Sequence, residues 1–338
     1  MARELDNMSI VRRQPGLFSL CALLTFLLAA WATDSLISKA RAENSGSFQG
    51  REQSTQTPAI LIPLRTISGG QLAARVDLNG FPASGAMQGY LSLVSPSALA
   101  VRGSDLYVAD SGSRKLTRID TITQVMAVVP GVDAMTWTRM QVGADLSLYV
   151  LDPTRARILH FTRGLQPLQT LGDSSASLSL DGFAIDEFLG NIIASDRLGQ
   201  RLVMFSSIGG PAAPLNLFSS GFVPSLVELT SAGRTVYAID RACPCIAAIY
   251  NQGNTVERIG EGLLQQPRSL AADRHGRIFV SDATDRSLKI FLRGDLVASL
   301  SAQKLGVTEL SALAVDEDVL YIADGPGSKV LSFRIRMP

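Results

Sequence analysis

Apolar residues along this chain come in short runs cut by aspartate, glycine, serine and proline, with little at helical spacing. The stretch "DLYVADSGSRKL", residues 105–116, shows the pattern. Leu106 and Val108 alternate with Tyr107 and Ala109, and the run stops at Asp110, ahead of Ser111 and Gly112. Alternation that ends in turn residues predicts a half-buried strand followed by a tight turn. The stretch returns as "LYVLD" ending at Asp152, "IIASD" at Asp196, "VYAID" at Asp240, "IFVSD" at Asp282 and "LYIAD" at Asp324. Successive aspartates stand 42, 44, 44, 42 and 42 residues apart. A strand-rich repeat of ~40–50 residues marks a propeller with four strands per blade. The chain is therefore expected to be all-β, a six-bladed β-propeller.

Each period divides into four strands, a to d. Strand b is the run ending in aspartate. Strand a precedes it, as "ALAV" at 98–101, "RMQV" at 139–142, "GFAI" at 182–185, "LVEL" at 226–229, "SLAA" at 269–272 and "ALAV" at 312–315. Strand c follows the turn, as in "SLKIF", and strand d ends the blade, as in "LQPLQTLG" at 165–172. The sixth period runs out after strand c. Residues 62–69, "IPLRTISG", echo "QPLQTLG" at 166–172, so 60–68 is expected to supply the missing outer strand and close the ring. Residues 59–338 then form one domain. Asp110, Asp152, Asp196, Asp240, Asp282 and Asp324 read as structural turn residues, each accepting backbone N–H bonds in its b–c turn.

The stretch "PRSLAADRHGRIFVSD" at 267–282, followed by "ATDRSLKIF", resembles the NHL-repeat propeller family. That resemblance implies a basic residue five positions after the strand-b aspartate. Lys115, Arg157, Arg201 and Lys329 match, whereas Cys245 and Ser287 depart. It implies little about function, since such propellers include scaffolds, RNA binders and a few enzymes.

Strand a lines the channel of a propeller. Leu99, Met140, Phe183, Val227, Leu270 and Leu313 are expected to pack between blades, leaving their neighbours to face inward. Those neighbours are mostly small; the exceptions are Arg139, Gln141 and Glu228, the candidate ligand-binding residues. Arg139 and Glu228 read as an ion pair, or as a small polar site in which Arg139 holds a carboxylated ligand. A hard cation needs roughly six oxygens, which this set does not supply, so no metal and no cofactor is expected. His160 falls in a strand c and His275 in an a–b turn, so no catalytic constellation forms.

Three further features bear on function. Arg12 and Arg13 precede the apolar run Leu17–Ala32, and A-x-A follows at 30–32 and 40–42. Residues 1–42 therefore read as a signal peptide or an uncleaved anchor, and the polar stretch 43–58 as a linker. The expected location is periplasmic or secreted, with the membrane involved only if the segment stays attached. Cys243 and Cys245 flank Pro244 and read as a disulfide candidate, with soft-metal binding and intermolecular pairing as alternatives. Residues 70–95 form an unusually long connection, expected over or beside the channel mouth on the b–c loop face, where Phe81, Met87, Tyr90 and Leu91 would meet a partner. Net charge is +1, which offers no field for nucleic acid. The expected function is a monomeric module or scaffold for a protein or peptide, with a channel-based hydrolase or lyase as the alternative.

Overall fold

The computed structural model describes residues 60–83, 87–172, 178–215, 225–250 and 255–336. The segments read as signal or anchor and as linker, 1–42 and 43–58, lie outside the described residues. Six sheets form six blades. Blade 1 contains a (Pro96–Arg102), b (Asp105–Asp110), c (Lys115–Asp120) and d (Val125–Asp133). The a strands of blades 2 to 6 are Arg139–Val142, Leu180–Ile185, Leu226–Ala232, Pro267–Ala272 and Ala312–Asp316. Each a strand neighbours the next, and the sixth neighbours the first. The ring closes through Leu61–Ile67, which pairs antiparallel with Lys329–Ile335 and so serves as strand d of blade 6. Leu61 sits opposite Ile335 and Ile67 opposite Val330.

The core is divided among the blade interfaces. Leu106 and Val108 pack with Ala312, Ala314 and Val330 of blade 6. Tyr107 and Ala109 pack with Met140, Val150 and Phe161 of blade 2. All four are fully buried. The strand expected to be half-buried is thus buried on both faces, because a radial sheet has a neighbour on either side. The same geometry corrects the channel assignment. Ala98 and Ala100 belong to the interface with blade 2, and Leu99 to that with blade 6. Both faces of strand a address other blades; what borders the channel is chiefly the free edge of the strand.

Blade 4 corrects the register. Leu99, Met140, Phe183, Leu270 and Leu313 each pair with the residue two before their strand-b aspartate. In blade 4 that residue, Ala238, pairs with Leu229, not Val227. Val227 packs instead toward Leu270 of blade 5. The a–b turn at Gly233–Arg234 is short, which shifts the strand by two residues relative to the expectation.

The long connection goes elsewhere than expected. Gly69–Ala73 and Met87–Ser92 form an antiparallel hairpin that extends blade 1 outward to six strands. Gln71 and Leu72 lie beside Val125 and Met126 in parallel pairing. The hairpin tip folds over the c–d turn of blade 2, on the face opposite the b–c loops. There the carbonyl of Gly80 accepts from the buried Arg118, and Arg163 stands 5.2 Å over the Phe81 ring. The insert is a rim extension, far from the position over the channel mouth.

Blade 5 lacks the basic residue at 287 but replaces it. Lys289 Nζ lies 2.8 Å from Asp282 Oδ2 and is itself buried. Burial pushes the Asp282 carboxyl up, yet Lys289 and the N–H groups of Gln265, Gln266 and Thr284 outweigh it and hold the group below its ordinary range. A carboxylate depressed in the folded state stabilises above its unfolded pKa and loses that contribution as pH falls through the folded value. Lys289→Met is expected to cost about 3 kcal/mol at neutral pH by leaving Asp282 buried without a counter-charge. In urea titrations the gap from the native chain narrows below about pH 4; a gap independent of pH would mean that only packing was lost.

Candidate functional site

The inner strands enclose a cavity of about 1220 Å³, lined by all six blades. Pairing with strand b brings one residue per blade to a common level beside the larger packed residue: Ala98, Arg139, Gly182, Glu228, Ser269 and Ala312. The correction in blade 4 is what aligns Glu228 with the rest. Arg139 Nε lies 3.3 Å from Glu228 Oε2, so blade 2 reaches blade 4 across blade 3. Gly182 lets the inner strands of blades 3 and 4 approach closely, since a Cβ there would drive into the Val227 carbonyl. Arg139 Nη1 also donates to Thr138 O at 3.1 Å.

Glu228 carries the connection onward. Its Oε1 accepts from Ser269 Oγ at 2.8 Å and from Leu270 N at 3.1 Å. Ser269 Oγ in turn accepts from Leu313 N at 3.0 Å. Gln141, one level along, donates from Nε2 to Leu229 O at 3.3 Å, again joining blades 2 and 4. The three polar residues singled out in the sequence are therefore gathered on one side of the channel. Ser269, which the sequence reading grouped with the small residues, is the link to blade 6. At the mouth on the a–b side, Arg102 and Glu187 pair at 2.8 Å between blades 1 and 3. Asp316 lies at this mouth too, and burial pushes its carboxyl up while the Gly103 N–H, 2.7 Å away, pulls it down.

The other candidates separate. His160 stacks on Tyr149 with ring centroids 4.0 Å apart, within blade 2, and burial pushes its imidazole down. His275 Nδ1 lies 3.2 Å from Arg277 in the a–b turn of blade 5. Among the partner candidates, Met87 and Tyr90 are exposed on the outer hairpin strand. Leu91 is partly buried against the interface of blades 6 and 1, and Phe81 is held by Arg163. Cys243 and Cys245 are bridged, with Cα atoms 5.3 Å apart. A buried cluster unnoticed in the sequence anchors the insert: Arg163 Nε is 2.7 Å and Arg118 Nε 3.6 Å from Asp105. Isolated arginines in strand c and a c–d turn carry no periodic signal that would have revealed it.

No family model matches the chain, and no curated protein matches its sequence. Solved structures do share its fold. A streptogramin B lyase superposes with a TM-score of 0.51 at 12% identity, covering 73% of this chain and 86% of that one. Virginiamycin B lyase from Staphylococcus aureus gives 0.53 at 10% identity, covering 80% and 99%. A chain of a nidogen/laminin complex gives 0.55 at 18%, covering 69% and 90%. Identities this low establish the β-propeller fold alone.

Gly182→Ala is expected to destabilise by up to ~3 kcal/mol, because the new methyl meets the Val227–Glu228 backbone of blade 4, which cannot move aside as a flexible side chain would. A double-mutant cycle of Arg139→Gln and Glu228→Gln, read by chemical denaturation, is expected to return a coupling of about 1 kcal/mol. Additive losses would show that the two side chains act independently.

Proposed function

We propose that the chain is an exported, NHL-like propeller that binds a protein or peptide, with the rim hairpin of blade 1 as its docking edge. The outermost strand, Met87–Ser92, carries this reading. It is the last strand of its sheet among the described residues, and Met87, Gln88, Gly89 and Tyr90 are exposed. A free edge is a template for an extended peptide, with main-chain bonds supplying affinity and exposed side chains specificity. Tyr and Met are residue types enriched at interfaces. The neighbour found in a nidogen/laminin complex supports a partner-binding use of the fold. The segment 1–42 and the bridged Cys243–Cys245 support a periplasmic or secreted location, with a tether if the segment is retained.

The lyase neighbours and the channel volume support the alternative, a hydrolase or lyase acting at Arg139, Gln141 and Glu228. Two observations weigh against it. Arg139 and Glu228 are committed to each other, and Glu228 also accepts two hydrogen bonds from blade 5. A general base tied in this way has little freedom to move a proton.

The two readings part in one experiment. The tagged full chain is recovered from its own exported compartment, and bound proteins and metals are quantified. Met87→Lys with Tyr90→Lys is expected to lose a stoichiometric partner by tenfold or more while Tm stays within a few degrees, and Glu228→Gln is expected to keep it. Loss of a bound metal or of turnover in Glu228→Gln, with no partner in any sample, would overturn the docking reading in favour of the channel.

A further inference from the structure

The strand-b aspartates of blades 1, 5 and 6 are built alike, and in every blade but the fourth the carboxylate also meets a second N–H or a cation. One carboxylate oxygen accepts N–H bonds from a residue leading into strand a and from the b–c turn: Ser95 and Gly112 for Asp110, Gln266 and Thr284 for Asp282, Glu309 and Gly327 for Asp324. The other oxygen takes a second N–H, a cation, or both. Val94 N donates to it in blade 1, Arg201 Nε in blade 3 at 3.1 Å, Gln265 N and Lys289 in blade 5, and Thr308 N with Lys329 nearby in blade 6.

In blade 4, Asp240 Oδ1 accepts from Ser225 N at 3.0 Å and Ala242 N at 2.9 Å, as the pattern requires. Its Oδ2 has no partner among the described residues. Both usual donors have been removed by sequence. The residue matching Val94, Gln265 and Thr308 is Pro224, which has no N–H, and the residue matching Arg157 and Arg201 is Cys245. Asp240 is only 1% exposed, and a carboxylate buried without a counter-charge is costly. The same turn adds Cys243. Ligand atoms of Asp240, Cys243 and Cys245 all lie within 4.8 Å of one another.

We propose that blade 4 carries a zinc-class metal site, in which Zn²⁺ takes the place of the missing cation. Its ligands are Cys243 Sγ, Cys245 Sγ and Asp240 Oδ2, with the fourth tetrahedral position left to water. The site exists only in the reduced chain, because the disulfide consumes both sulfur ligands. A phosphine reductant breaks the S–S bond by supplying two electrons. The phosphine leaves as its oxide with the oxygen of one water, and the two sulfurs gain two protons. Binding of Zn²⁺ then displaces those two protons. The bridge and the metal are alternative ways of holding one turn, so loading reports the redox state of the compartment. This inference is independent of the docking edge on blade 1.

The test is a Co²⁺ and Zn²⁺ titration of the full chain, oxidised and phosphine-reduced, with free thiols counted on each sample. Reduced protein is expected to bind one equivalent of Co²⁺ with a thiolate-to-cobalt charge-transfer band, and Zn²⁺ to bleach it; oxidised protein is expected to show neither. Cys243→Ser, at a partly exposed position, is expected to abolish the band. Asp240→Asn is expected to weaken binding by at least the ~10-fold that loss of an outer-shell partner costs. Cys245→Arg, which rebuilds the arrangement of blades 2 and 3, is expected to fold without binding metal. Should Asp240→Asn or Cys245→Arg fail to fold, Cys243→Ser still decides. A reduced chain with two titratable thiols and no bound metal would overturn the proposal, as would undiminished binding by folded Cys243→Ser or Asp240→Asn.

Discussion

A propeller depends on holding its innermost strand, the one with no further strand beyond it. Here a buried carboxylate does so. The aspartate that ends strand b gathers N–H groups from the residues leading into strand a and from its own b–c turn, as Asp110 does with Val94, Ser95, Gly112 and Ser113. One side chain thus joins two loops on the same face and fixes where strand a begins. Blade 2 departs from the expected backbone-held turn: among the described residues Asp152 is met by the side chains of Thr154, Arg155 and Arg157 instead. A buried anion needs several donors and gains from a cation, which is the physical content of the basic residue in the following strand. Blade 5 shows that the cation need not come from a set position, only from within reach. Blade 4 shows what is left when neither donor is supplied.

Strands b and c were legible in the sequence because they are buried on both faces and end at a residue whose chemistry cannot be exchanged. The closing strand was legible because Pro63, Leu64 and Thr66 repeat the order of Pro167, Leu168 and Thr170. Strand a of blade 4 was not. Runs such as "LVEL" fit two registers equally, and only the length of the a–b turn distinguishes them. The route of the insert was also beyond the sequence. Its docking rests on Arg118, Arg163 and Asp105, three residues from separate segments whose charges meet only in the folded ring. The polar channel residues were legible as exceptions in a column of small side chains, but their partners were not, because the pairing joins blades 2 and 4, which are distant in sequence and meet only in the closed ring.

The channel wall shows what such exceptions are for. Inner strands shift register just past the aspartate, between Leu180 and Gly182, Leu226 and Leu229, and Pro267 and Ser269. Strand a has no partner on its inner edge, so N–H groups there lie outside any ladder, and buried N–H groups must be met. Leu270 N and Leu313 N are met by Glu228 and Ser269. Glu228 is then a charge in the wall, and Arg139 answers it from two blades away. The blade interfaces themselves are apolar and non-directional, so they press blades together without fixing their relative height. Arg139–Glu228, Gln141–Leu229 and Arg102–Glu187 are directional, and each spans two blades. They act as chords that set the height of blades 1 to 4 around the ring. A ligand entering this side of the channel would have to break those chords to use the same groups, whereas a partner on the rim hairpin would disturb none of them.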